Sequence, residues 1–247
     1  MSRYFLEMRY MGTRYSGFQI QENAITIQSE TEKALQVLLR QPIALTGSSR
    51  TDAGVHALQN YFHFDLEYDL KSSFVYNVNA ILPPDIAIRS IIKVKDDAHC
   101  RFHATSRAYA YHIYREKDPM KADRAWFYPF SLNVDLLQRV AAIIKEYDDF
   151  TSFSKRNTQV KTFNCQIIHS AWEQTEDGLI YRVEANRFLR GMVRGLVGTM
   201  LQVGRGKLTE QDFRDIITAH DCTKADFSTP AHGLFLETVR LVDGLIN

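Results

Sequence analysis

The chain has 247 residues, 45% hydrophobic and 24% charged, with a net charge of +1. That is globular composition, enough for one large domain or two of about 100–150 residues, and it excludes a low-complexity or disordered chain. No apolar run approaches the roughly 18–20 residues of a membrane span, and Cys100, Cys165 and Cys222, an odd number without CxxC spacing, argue against a disulfide framework or a zinc ribbon.

That cysteine usage makes the reducing cytoplasm the expected compartment, and the N-terminal "MSRYFLEMRY" alternates as a strand over 3–10 without a signal-peptide core. "TIQSETEKALQVLLR" sets Ile27, Thr31, Ala34, Leu35 and Leu38 on one helical face, with Thr26 or Asn23 as cap. A short strand is expected at 43–46, and the aromatic-rich "ALQNYFHFDL" reads as another. "SSFVYNVNAIL" places Phe74, Val75, Val78 and Leu82 on a helix that Pro83-Pro84 stops, and "IAIRSIIKV" is the next strand.

The second half repeats the theme. "RAYAYHIYR" is a strand with Tyr109, Tyr111 and Ile113 on one face, and "VDLLQRVAAIIK" an amphipathic helix through Leu136, Leu137, Val140, Ile143 and Ile144. Strands near "CQIIHSAWEQ" and "LIYRVEA" are joined through Glu176-Asp177-Gly178. A long helix is expected over 187–203 and a shorter one over 209–219, before the closing strand "GLFLETVRLV". This order predicts two α+β halves of related topology, 1–104 and 105–247, with a cleft between them as the ligand site.

Three segments could carry chemistry. In "GSSRTDAGVHALQNYFHF" the lone Asp52 sits in a small-residue turn near Arg50. Either its carboxylate only bonds the backbone N–H two residues on, or the turn presents an ionised carboxylate as nucleophile or base, with Arg50 favouring the charge. Asp52, His56 and His63 lack any metal-ligand spacing, and nucleotide-loop and Ser-His-Asp motifs are absent. In "RFHATSRAYAYHIY", Tyr109 and Tyr111 with Arg107 and Arg115 are either core aromatics with exposed arginines or a stacking platform for a base. From Arg187 to Lys207 there are cations and no acid: Arg187, Arg190 and Arg194 at i, i+3 and i+7 form either a solvated helix stripe or a phosphate-binding face.

Together these segments resemble the tRNA pseudouridine synthase A family. Ser49-Arg50-Thr51-Asp52-Ala53-Gly54-Val55-His56 matches its G-R-T-D-A-G-V-H loop, Arg101 to Tyr111 its R-F-x-A-T-x-R-x-Y-x-Y, and Met192 to Gly206 its M-V-R-x-x-V-G-T-x-x-x-V-G-x-G. Tyr10 to Gln19 and Ala231 to Leu236 match its opening and closing motifs, so the resemblance runs along nearly the whole chain in order. Two positions depart: Ser49 stands for the usual glycine and Gly195 for the usual asparagine.

The resemblance implies an α+β pseudouridine synthase fold, with two RNP-like halves sharing a continuous, mainly antiparallel sheet and a central cleft. It implies isomerisation of uridine to pseudouridine at positions 38, 39 and 40, in the anticodon stem-loop of tRNA. It implies no cofactor, because nothing is oxidised or hydrolysed. Asp52 would be the essential carboxylate, attacking the sugar or assisting base release. Tyr109 would stack on the uracil and help remove its C5 proton, and Arg194 would hold Asp52 ionised. Arg50 would contact RNA and fill the space of the flipped nucleotide, with Arg107 and Arg190 as further RNA-binding cations. The family is homodimeric. The rival reading is a non-catalytic tRNA-binding or folding module on the same scaffold.

Overall fold

The computed structural model describes residues 1–156 and 160–246. The chain divides into two compact units, Met1–Thr105 with Leu236–Asn247, and Ser106–Phe235.

In the first unit, β1 (Ser2–Tyr10) is followed by α1 (Ile27–Leu39), β2 (Thr46–Gly47), β3 (His56–Leu66), α2 (Phe74–Ile81) and β4 (Ile86–Val94). The strand order is β4-β1-β3 with β2 on β3, all antiparallel. This is the β-α-β-β-α-β arrangement in which the fourth strand lies beside the first. Tyr4, Leu6, Met8 and Tyr10 are buried on one face of β1, as its alternation requires. Thr26, not Asn23, caps α1, exchanging hydrogen bonds with Ser29. Asn79 of α2 bonds both backbone groups of Ile88, at 2.8 Å each, and so ties α2 to β4.

The second unit repeats that order with β5 (Ala104–Tyr114), β6 (Trp126–Phe127), α3 (Val134–Ile143), β7 (Ile167–Gln174), β8 (Gly178–Ala185), α4 (Met192–Gly204) and α5 (Glu210–Thr218). Strands run β5-β8-β7, antiparallel, and the two-residue β6 lies parallel to β5. The chain passes along β9 (Leu234–Leu241) from this unit into the first, where the Val239 N–H donates to Gln59 Oε1 at 3.0 Å. Gly178 is needed for space: a Cβ there would stand 2.1 Å from the Ile113 carbonyl oxygen.

One expected element is corrected. The helix predicted over 187–203 starts only at Met192, because Gly191 takes the left-handed conformation at its N-cap, with φ 76°. Arg187 and Arg190 therefore precede the helix, and the single stripe of Arg187, Arg190 and Arg194 does not form.

Candidate functional site

In the first unit residues 48–55 form a loop between β2 and β3. Gly47 admits the ring of Phe18, which would stand 2.3 Å from any Cβ there and stacks on Phe62 at 4.4 Å. The Asp52 turn closes by a bond from the Val55 N–H to the Asp52 carbonyl, 3.1 Å, with Gly54 at φ 80°. A turn-shaping aspartate would accept from the Gly54 N–H, but that donor goes to the Tyr15 carbonyl at 3.4 Å. The turn thus stands without the Asp52 side chain, which is half-buried.

What holds the loop is the segment Gly12–Phe18 laid against it. The Phe18 N–H donates to the Thr51 carbonyl at 3.1 Å, and Thr51 Oγ1 shares a buried hydrogen bond with the Tyr10 hydroxyl at 2.8 Å. Gly12 touches Val55 so closely that a Cβ would lie 2.0 Å from its carbonyl oxygen. Gly17, at φ 100°, holds a conformation that other residues rarely adopt, and a Cβ there would stand 3.1 Å from the Thr51 carbonyl oxygen. His56 is fully buried, its Nδ1 accepting the Gly12 N–H at 2.9 Å. The Tyr15 hydroxyl donates to Asp85 Oδ1 at 2.5 Å, and burial, then that carboxylate, push its phenol well above the usual tyrosine range. Asn60 bonds both backbone groups of Ser49, but the Ser48 and Ser49 hydroxyls are buried without a partner among the described residues. Arg50 is exposed. The ion pairs found in this unit, Arg3–Asp65, Arg14–Asp85, Lys33–Glu30 and Lys93–Asp69, leave out both Arg50 and Asp52.

In the second unit, Tyr109 lies on β5 opposite Val183 of β8 and meets the Phe188 ring edge-on at 5.0 Å. Arg107, two residues earlier on the same face, donates from Nη1 to the Asn186 carbonyl at 3.0 Å. Tyr111 shares that face but is core: fully buried, its hydroxyl donates to the Pro230 carbonyl at 2.7 Å. Burial raises the Tyr111 phenol far beyond its usual range, so it carries no proton chemistry near neutral pH. Arg190 is exposed just before α4, its carbonyl accepting the Lys155 N–H at 2.9 Å. Arg194, in the first turn of α4, donates from Nε to the Thr229 carbonyl at 2.7 Å.

The segment from Asp226 to Thr229, which sequence periodicity does not single out, is what orients Arg194. It lies against α4 where glycines thin the helix: a Cβ at Gly198 would be 2.3 Å from the Asp226 carbonyl oxygen, and one at Gly195 would be 2.8 Å from the Phe227 ring. Thr199 Oγ1 accepts the Asp226 N–H at 3.0 Å, and Gln202 donates to Asp226 Oδ2 at 2.7 Å. Burial disfavours the Asp226 carboxylate, but bonds from Ser228 and Gln202 outweigh it and hold its pKa below the usual range.

Comparison with known proteins decides the family. Residues 146–241 match the family model described as tRNA pseudouridine synthase. A protein of Parabacteroides distasonis, named tRNA pseudouridine synthase A, is 44% identical over 97% of this chain and 96% of its own length. Its namesake in Porphyromonas gingivalis is 44% identical over 97% of each chain, and that of Staphylococcus aureus is 36% identical over 97% of this chain and 91% of its own. The chain belongs to the tRNA pseudouridine synthase A family. Its fold is the mixed α+β, mainly antiparallel architecture of that family.

Membership makes the Gly195 departure testable. The space that a side chain there would need is filled by Phe227. Gly195→Asn should destabilise the protein by about 1–3 kcal/mol through overpacking, read as a lower denaturation midpoint. Phe227→Ala in the same background should recover part of the loss; additive losses would show that the two positions do not compete for space.

Proposed function

We propose that this protein isomerises uridine to pseudouridine at positions 38, 39 and 40, in the anticodon stem-loop of tRNA. The N1–C1′ bond breaks, a C5–C1′ bond forms, the C5 proton leaves and N1 gains one, so no cofactor is consumed. Asp52 is the catalytic carboxylate, attacking the sugar or assisting base release. Tyr109, Arg50, Arg107, Arg190 and Arg194 bind the substrate, the tyrosine by stacking on the uracil and the arginines through phosphates and charge. The assignment follows the domain halves 1–104, carrying the Asp52 loop, and 105–247, carrying the Tyr109 strand and the Arg194 helix.

The observation that carries this reading is the Asp52 turn. Its backbone bonds close without the carboxylate, and Gly12–Phe18 braces it from behind. A side chain that does not hold its own turn is available to a ligand. The non-catalytic tRNA binder would need Arg50 but has no use for a braced carboxylate facing RNA phosphates. The family match supports the tRNA substrate. A cytoplasmic homodimer belongs to the same reading, supported by the resemblance; among the described residues no helix is long and apolar enough to cross a membrane. Sedimentation at assay concentration tests the dimer, and a single monomer boundary would remove it.

The experiment uses unmodified tRNA transcripts carrying uridine at one of the three positions at a time, with pseudouridine mapped by chemical derivatisation and primer extension. Pseudouridine at the placed uridine is the expected result. Bound but unmodified transcripts would favour the binding module. Tyr109→Phe separates the tyrosine's two roles. It keeps the stacking ring, so a hydroxyl acting in C5 proton removal predicts a fall of about 100-fold in kcat. Full activity would confine Tyr109 to stacking.

A further inference from the structure

Within the first unit, a cleft of about 240 Å³ opens beside the Asp52 loop. Gln19, Thr46, Arg50, His99, Arg101 and Phe102 are among the residues that line it. The lining holds cations, amides and aromatic rings but no carboxylate. At this volume it is smaller than the roughly 300 Å³ of a drug-sized site, and suits one base with its phosphate.

Phe102 is 76% exposed, yet it is propped from beneath. Its ring lies on His99 at 4.1 Å, and His99 meets the buried His63 edge-on at 4.5 Å. The turn beneath is fixed by bonds from its backbone N–H groups to two imidazoles. His99 Nδ1 accepts the Arg101 and Phe102 N–H groups at 3.2 and 3.4 Å, and His103 Nδ1 accepts the His99 N–H at 3.0 Å. Burial, then His99, push His63 down to about 4, and burial lowers His99 as well. The column is therefore uncharged at neutral pH, and charge at the cleft comes from its two arginines. A rigid ring with one open face and guanidiniums at its rim is the equipment that binds an unpaired nucleotide.

We propose that this cleft is a second nucleotide subsite, taking an unpaired RNA nucleotide that flanks the target uridine: its base stacks on Phe102 and its phosphate meets Arg50 and Arg101. The inference rests on tRNA being the substrate. Arg50 links the two sites, since it lies on the Asp52 loop and also lines the cleft. Occupation of the cleft would register the strand along the loop, so the subsite contributes to choosing which uridine is modified.

The test uses anticodon stem-loop RNA with 2-aminopurine substituted at each loop position in turn. Wild type should quench one position by stacking. Phe102→Ala should abolish that quench and raise KM about tenfold, the loss falling mainly on KM, while Phe102→Trp should restore both. The subsite is overturned if wild type quenches no loop position, if Phe102→Ala quenches as wild type does, or if Phe102→Trp fails to restore KM while melting like wild type. A wild type that binds the unsubstituted stem-loop without modifying it would count against the proposed function, and the quench would still report on the cleft.

Discussion

Asp52→Asn should keep tRNA bound and stop turnover, lowering kcat on the order of 10⁴-fold or more. The substitution preserves shape and removes charge. The turn does not use the carboxylate, since Gly54 donates to Tyr15 and Val55 to the Asp52 carbonyl, so the fold and melting temperature should hold. Loss of a negative charge should, if anything, tighten binding of a polyanion. The expected pattern is therefore a dead protein with wild-type or better affinity, read by filter binding beside single-turnover assay. Retained turnover would remove Asp52 from the chemistry. Lost binding with a lowered melting temperature would return Asp52 to a structural role.

The second large effect is expected far from Asp52 in sequence. In Gly12→Ala the added methyl would lie 2.0 Å from the Val55 carbonyl oxygen and 2.7 Å from its carbon. Both are backbone atoms and cannot swing aside. The Gly12–Phe18 strap or the turn must shift, and Val55 closes the Asp52 turn. A displacement near 1 Å at a catalytic group costs about 100-fold, so kcat/KM should fall by about that factor, with a stability loss of about 1–3 kcal/mol from the clash. The Gly12 N–H bond to His56 Nδ1 would be strained in the same movement. Activity at the wild-type level would show that the strap does not position Asp52.

Much of the scaffold is legible in local pattern. The apolar run "IAIRSIIKV" marks β4 with its observed ends, and the shorter helix expected over 209–219 forms as α5. Features set by one atom's conformation or by distant packing are not. Arginine spacing suggests one long helix, but Gly191 at positive φ delays its start to Met192. Tyr109 and Tyr111 share a strand face and both are buried, Tyr111 fully, with its hydroxyl tied to the Pro230 carbonyl far along the chain. The glycines at 12 and 17 resemble ordinary loop glycines until Thr51 and Val55 are seen against them. Phe102 looks like a stray exposed aromatic until His99 and His63 are seen beneath it. In the candidate site, then, sequence yields the residue types, and contacts between remote segments show how the Asp52 loop is held.

The central claim is that the chain moves the glycosidic bond of uridine from nitrogen to carbon. Tritium release from a tRNA transcript labelled at uracil C5 tests it most directly, because rejoining the sugar at C5 expels the proton of that carbon. Wild-type protein should release tritium in proportion to the pseudouridine formed. A saturated tRNA complex that releases none would contradict the account and leave a binding protein on a synthase scaffold.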